Sequence, residues 1–320
     1  MGTTIRVPDI VPPPADDCLS LKKAFKGWGT DEEGVVKVLG RRNASQRKQI
    51  RDAYQELYKA SIIDHIRDEL SGDFMKAVVL WTYDPAERDA RLVRDALKAT
   101  KKRVKQLEVL VEVACTTSPT HLVAVRKAYC LLYDCSLEED IHSSVASGSL
   151  RKLLVSLVRS FRFDRDVVDT KVAFSEAAEL YECIKAGLSE SDRFLWILTT
   201  RNVFQLRETF EIYHRSFKNS IEQDIKSSGK GDLQTILSLV VCCIHKPEMH
   251  FAKVIREAII GLGTDEDALT RAIVTRAEVD MVNIKSAYFE MYKSTVEKAV
   301  AGDTSGDYEA FLMTLLGARL

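Results

Sequence analysis

The chain has 320 residues, a mass of 36.0 kDa and 46 Lys+Arg against 47 Asp+Glu, for a net charge of -1. That balance leaves no overall basic field to draw it to nucleic acid or to an anionic surface, so any hold on phosphate must come from local sites or bridging cations. At 46% hydrophobic and 29% charged it is globular rather than disordered, no apolar run approaches the roughly 18 residues of a membrane span, and MGTTIRVPDIVPPPADD lacks the charged start and apolar centre of a signal peptide.

In chain order, residues 1–14 carry Pro8, Pro12, Pro13 and Pro14 and predict an extended N-terminal arm. Arg6 stands where N-myristoylation of Gly2 would need Ser or Thr, which argues against that modification. Beyond the arm a helical unit recurs four times. RKQIRDAYQELYKASIIDHI, TSPTHLVAVRKAYCLLYDCSLEEDI, VFQLRETFEIYHRSFKNSIEQDI and MVNIKSAYFEMYKSTVEKAV each place a basic residue three before an aromatic, at Tyr54, Tyr129, Phe210 and Tyr288. These anchors lie 75, 81 and 78 positions apart. Apolar residues at i, i+3, i+4 and i+7 predict an all-α protein with five short helices per repeat. The predicted repeats are 15–84, 85–158, 169–245 and 246–320, with 159–168 as a linker. Pro85 and Pro247 suit the first turn of a helix. The charged stretch RSFRFDRDVVDT predicts a hinge between halves 15–158 and 169–320, and Trp81 and Trp196, inside helical runs, are expected in the core.

Seven cysteines, odd in number and without metal spacing, read as reduced and mostly buried thiols, and six scattered histidines form no HExxH-like cluster. The informative segments are two glycine loops, KAFKGWGTDEEG (23–34) and IIGLGTDEDALT (259–270). Taken singly, each is a tight turn followed by a threonine, Thr30 or Thr264, placed to cap the next helix. Taken together they show a shared spacing: Glu69 follows Gly27, and Asp303 follows Gly261, by 42 residues. Glycine leaves carbonyl oxygens unshielded, and a carboxylate from a neighbouring turn adds two more, a donor set suited to Ca²⁺. Three carbonyls and one bidentate carboxylate make about five of the six to eight oxygens Ca²⁺ takes, which leaves places for water or a phosphate oxygen. DEEGVVKVLGRR and DEDALTRAIVTR lack the ligand pattern of an EF-hand.

With its fourfold repeat, KGWGT with Glu69, and GLGT with Asp303, the chain resembles the annexins, and most closely the plant annexins, over about residues 15–318. The resemblance implies a slightly curved disc with these loops on its convex face, and Ca²⁺ bridging protein oxygens to anionic phospholipid membranes. It assigns as ligands the carbonyls of Phe25, Gly27 and Gly29 with the Glu69 carboxylate, and those of Ile259, Gly261 and Gly263 with Asp303. Trp28 and Leu262, at the loop tips, become membrane contacts; packing of Trp28 against its own repeat is left open. Repeats two and three have KATKKRV and KAGLSES in place of the loop and Val145 and Ser228 in place of the acid, so they are expected to lack this site. The expected location is cytoplasmic, peripheral on membranes when Ca²⁺ rises. The cytoskeleton and self-association on membranes are admitted as partners; nucleic acid is not.

The main expectation is a binding protein rather than an enzyme, with alternatives of other classes left open. One is nucleotide hydrolysis, since Asp303-Thr304-Ser305-Gly306 matches DxxG, although no GxxxxGK[ST] is present. A second is thiol-based peroxidase or redox chemistry at Cys115 and Cys243, which the resemblance would bring close together; Gly40 stands where the family's proposed peroxidase histidine would be. The third is a cation-conducting oligomer with Asp89, Arg276 and Arg42 at a polar centre, weakened by Thr116 in place of an arginine; buried pairing of these charges is the preferred reading.

Overall fold

The computed structural model of the protein describes residues 2–26, 29–99, 103–159, 161–261 and 263–318. Among these are twenty α-helices and no strand. The first repeat comprises α1 (Pro14–Ala24), α2 (Glu32–Leu39), α3 (Ala44–Tyr58), α4 (Ile62–Glu69) and α5 (Gly72–Thr82). The second has α6 (Pro85–Lys98), α7 (Arg103–Thr116), α8 (Pro119–Tyr133), α9 (Leu137–Ser144) and α10 (Ser149–Arg159). The third has α11 (Thr170–Lys185), α12 (Asp192–Thr200), α13 (Val203–Phe217), α14 (Ile221–Ser228) and α15 (Asp232–His245). In the fourth, α16 (Pro247–Ile259), α17 (Glu266–Arg276), α18 (Met281–Tyr292), α19 (Val296–Asp303) and α20 (Gly306–Leu315) follow.

One local device defines the repeat. The third helix of each ends on a non-glycine residue in the left-handed region: Lys59, Asp134, Lys218 and Lys293, with φ of 52°, 52°, 69° and 55°. Two residues later Ser61, Ser136, Ser220 or Thr295 accepts a backbone N–H and starts the fourth helix. The left-handed turn costs a non-glycine residue about 1–2 kcal/mol, and the cap that follows returns about 1 kcal/mol.

Five residues before each of these turns sits a tyrosine: Tyr54, Tyr129, Tyr213 and Tyr288, all fully buried. Each meets an aromatic ring edge-on one turn later, at Tyr58, Tyr133, Phe217 and Tyr292. The third anchor is therefore Tyr213, not Phe210. Arg207 three before Phe210 mimics the pattern, and a shift of three residues keeps both rings on one helix face, so spacing alone could not separate them. In the first three repeats the residue eleven after the tyrosine bonds its hydroxyl: His65 Nδ1 at 2.6 Å, Asp140, and Asp224 Oδ2 at 2.7 Å. In the fourth repeat Ala299 occupies that place and the Tyr288 hydroxyl has no partner among the described residues.

The chain divides into two compact units, Met1–Arg88 with Glu248–Leu320, and Asp89–Pro247. Repeats one and four thus share a core, as do two and three, in place of the sequential halves expected from the charged linker. That linker is tied inside the second unit: buried Arg162 donates to the carbonyls of Leu198 and Arg201, and Asn202 Nδ2 donates to Val167 O at 3.1 Å. The first unit is joined through α5, which packs on α17 and α20, and through α2, which packs on α20. Phe74 and Phe311 meet edge-on with centroids 6.0 Å apart. Trp81 is fully buried, donates to Leu39 O at 2.8 Å and carries the Arg47 guanidinium 3.5 Å above its ring. Arg47 also reaches Glu278 of the fourth repeat at 2.8 Å. The arm lies along that repeat, with Thr4 N donating to Ala277 O at 2.9 Å and Thr4 Oγ1 to Leu315 O at 2.6 Å. Trp196 departs from expectation: it is half exposed, with the Arg201 guanidinium over its ring. In DRFLWILTT the apolar run is too continuous to show which face turns outward.

Candidate metal centre

The two glycine loops join α1 to α2 and α16 to α17. Both close with the same backbone bond, Asp31 N to Ala24 O at 2.9 Å and Asp265 N to Ala258 O at 2.7 Å. Gly29 has φ of 90°, Gly261 136° and Gly263 98°, conformations that L side chains rarely adopt, and no atom lies within 4 Å of where a Cβ would stand. These glycines are therefore required by backbone shape rather than by crowding. Gly27, Trp28 and Leu262 lie outside the described residues. Phe25 is the buried cap residue of α1, and Ile259 is the last residue of α16. Ile260, which the sequence did not single out, is an exposed apolar residue on the same loop.

The helix caps are not the threonines. Asp31 Oδ1 accepts from Gly34 N at 2.9 Å and Asp265 Oδ1 from Ala268 N at 3.1 Å. Adjacent Thr and Asp are both good caps, so the sequence could not choose between them. The threonine hydroxyls instead cross to the turn after the fourth helix: Thr30 Oγ1 donates to Glu69 O at 3.0 Å, and Thr264 Oγ1 donates to Asp303 O at 3.2 Å and Oδ2 at 2.7 Å. Loop and acid are thus joined in both repeats across 39 residues of chain. Glu69 and Asp303 are both exposed. The turns bearing them also match, with Gly72 and Gly306 at φ of 60° and 64° three residues later. The DxxG string of Asp303 to Gly306 is accounted for by this shared turn.

Both acid turns line one open cleft of about 410 Å³ in the first unit. Glu32, Asp73, Glu266 and Asp307 line it too, none of which spacing alone had marked; their signal was the acids repeated at matching offsets after each loop. At the rim Lys76 bonds Asp73 at 3.0 Å and Asp267 at 3.3 Å, and its ammonium is held above the usual lysine range chiefly by the Asp73 bond. Among the described residues no group of three or more His, Cys, Asp or Glu side chains is set to hold a metal, so any cation here must lean on backbone oxygens. Backbone carbonyls and an exposed carboxylate are oxygen donors only, the chemistry that suits a hard divalent ion.

Among its described residues the second unit keeps glycines at positive φ, Gly148 at 134° and Gly187 at 73°, but has no acid at either matching position. Val145, at the acid position of repeat two, is buried. Ser228, at that of repeat three, turns back to Ile225 O at 2.8 Å. Cys115 and Cys243 are both buried and line one pocket of about 200 Å³. Burial pushes the Cys115 thiol up to about 11, so it is protonated at neutral pH, the reverse of what a nucleophilic thiol needs. The charges considered for a polar centre are paired locally: Arg42 with Asp17 at 2.7 Å, Arg276 with Asp280 at 2.6 Å, and Asp89 with His121 at 2.7 Å.

Four such repeats, matched by the annexin family profile at residues 16–81, 88–157, 175–240 and 250–315, place the chain in the annexin family, for which calcium and phospholipid binding are typical. Among its relatives, annexin D3 of Arabidopsis thaliana is 52% identical over 99% of both chains. Annexin-like protein RJ4 of Fragaria ananassa is 46% identical over 94% of this chain and 95% of its own. Among solved structures, annexin III superposes with a TM-score of 0.92 at 31% identity, covering 99% of this chain and 98% of that one. A calcium-bound annexin (Sm)1 superposes with a TM-score of 0.86 at 27% identity, covering 99% and 93%. Among the described residues no helix is long and apolar enough to cross a membrane.

Proposed function

We propose that this annexin attaches reversibly to anionic phospholipid membranes through Ca²⁺ held by the loops of repeats one and four. The ligands are the carbonyls of Phe25, Gly27 and Gly29 with the Glu69 carboxylate, and the carbonyls of Ile259, Gly261 and Gly263 with the Asp303 carboxylate. The observation that carries this reading is the bond from each loop threonine to the acid-bearing turn, which joins the two halves of each donor set in both repeats. Calcium-bound relatives such as annexin (Sm)1 support the choice of ion. Bound Ca²⁺ would supply the positive charge that a protein of net charge -1 lacks, with lipid phosphate filling the positions the protein leaves open. Trp28 and Leu262 are the apolar contacts of these loops, and exposed Ile260 extends the second. Repeats two and three supply scaffold, and the protein stays in the cytoplasm until Ca²⁺ rises.

The test is co-sedimentation with phosphatidylserine vesicles. Pelleting in Ca²⁺ that reverses with chelator is expected; equal pelleting in both would exclude the reading.

A further inference from the structure

The two loops differ in what their threonines hold. Thr30 reaches only the backbone carbonyl of Glu69, which fixes the turn and leaves the carboxylate to rotate. Thr264 reaches both the Asp303 carbonyl and its carboxylate Oδ2, at 2.7 Å. A carboxylate offers about four lone-pair sites, so one hydroxyl bond leaves both oxygens able to coordinate. Partners of this kind orient a ligating group before the ion arrives, which lowers the entropy lost on binding.

The third repeat is an internal contrast. Its residue before the helix cap is Glu190, whose Oε2 accepts from Ser149 Oγ at 2.9 Å, and Ser228 bonds within its own helix. Among the described residues of repeat three, where the acid is missing, no bond joins loop and turn. A threonine serving only the packing of first and second helices would be as useful there, since α11, α12 and α14 also pack together.

We infer that Thr264 is a positioning residue for cation binding, and that by aiming the Asp303 carboxylate it makes the repeat-four site fill at lower Ca²⁺ than the repeat-one site. This rests on the Ca²⁺ reading above and adds an order of filling to it. Thr30 acts more weakly, through the backbone alone.

Ca²⁺ titration calorimetry without lipid isolates the two sites and removes any contribution from the apolar loop tips. Glu69→Gln leaves the repeat-four site and Asp303→Asn leaves the repeat-one site; the first is expected to bind Ca²⁺ the more tightly. In the Glu69→Gln background, Thr264→Val is expected to weaken Ca²⁺ by roughly 10-fold, the loss typical of removing such a partner. Thr264→Ser keeps the hydroxyl and is expected to stay within about twofold of the threonine protein, a rescue that a packing role of the methyl group would not give. Thr264→Ala serves as a second hydroxyl-free variant if the valine protein does not fold. Melting temperatures without Ca²⁺ separate lost affinity from lost structure. The inference is overturned if valine and alanine both leave affinity unchanged, if serine fails to rescue, or if the Asp303→Asn protein binds the more tightly. Vesicle pelleting of the parent tells the two failures apart: pelleting that needs Ca²⁺ keeps the function reading whatever the titrations show.

Discussion

The two compact units share one helical plan and differ in the corner where the first loop meets the turn after the fourth helix. In the first unit that corner, present twice, has glycines at positive φ, a crossing threonine hydroxyl and an exposed acid, and both copies open on a cleft lined by carboxylates. The related cleft of the second unit, about 730 Å³, is lined by Ser144, Ser147 and Ser149, with Val145 buried beside them and Glu190 and Asp232 as the only acids among its described lining residues. Yet both units keep the left-handed turn, the Ser or Thr cap two residues on, and the paired aromatic rings. The residues that build the repeat are thus separate from those that carry the cation chemistry, which explains how one can be lost without the other.

Removing the acids is expected to have the largest effect. Glu69→Gln with Asp303→Asn is expected to raise the Ca²⁺ needed for vesicle pelleting by on the order of 100-fold or to abolish it. Ser228→Ala is expected to leave it unchanged. A double variant that pelleted like the parent would place the sites elsewhere. Next in size is a scaffold change in the second unit. Tyr213→Phe removes a hydroxyl bond to buried Asp224 and should cost about 1.5–3 kcal/mol in denaturant unfolding, with no change in the Ca²⁺ requirement. Gly263→Ala should do the opposite: about 1–2 kcal/mol from the strained φ, with a several-fold rise in the Ca²⁺ needed. Tyr288→Phe is expected to fall within about 0.5 kcal/mol of the parent, because the lost hydroxyl has no partner. A large loss there would show that the fourth repeat holds this tyrosine as the others do.

Much of this was legible in the sequence because repetition supplies its own control. One glycine turn followed by a polar cap is ambiguous, but two with an acid at the same distance point to one shared arrangement of loop and turn, and the same logic exposed four helical units of five. What escaped were choices between chemically similar neighbours. Thr30 and Asp31 can both cap, and only the folded chain shows the aspartate capping while the threonine is left to cross the site. Phe210 and Tyr213 lie one helical turn apart on the same face. The pairing of repeat one with repeat four was hidden for a different reason. A linker's charge and length describe the path of the chain, whereas partners are chosen by complementary faces such as those bearing Phe74 and Phe311.

That pairing has a consequence for how the protein is made. Residues 89–247 form a contiguous unit whose internal contacts are all available once it leaves the ribosome, but residues 1–88 must wait for 248–320. Until then Phe74 lacks Phe311, Arg47 lacks Glu278, and Thr4 lacks the carbonyls of Ala277 and Leu315. The first part of the chain to be synthesised is therefore the last to be completed, and it holds exposed apolar surface in the interval, when aggregation and chaperone capture compete with folding. A nascent chain arrested after Pro247 should show a protease-resistant core spanning 89–247 and cleavage within 1–88, with protection of the latter returning when residues 248–320 are added as a separate fragment.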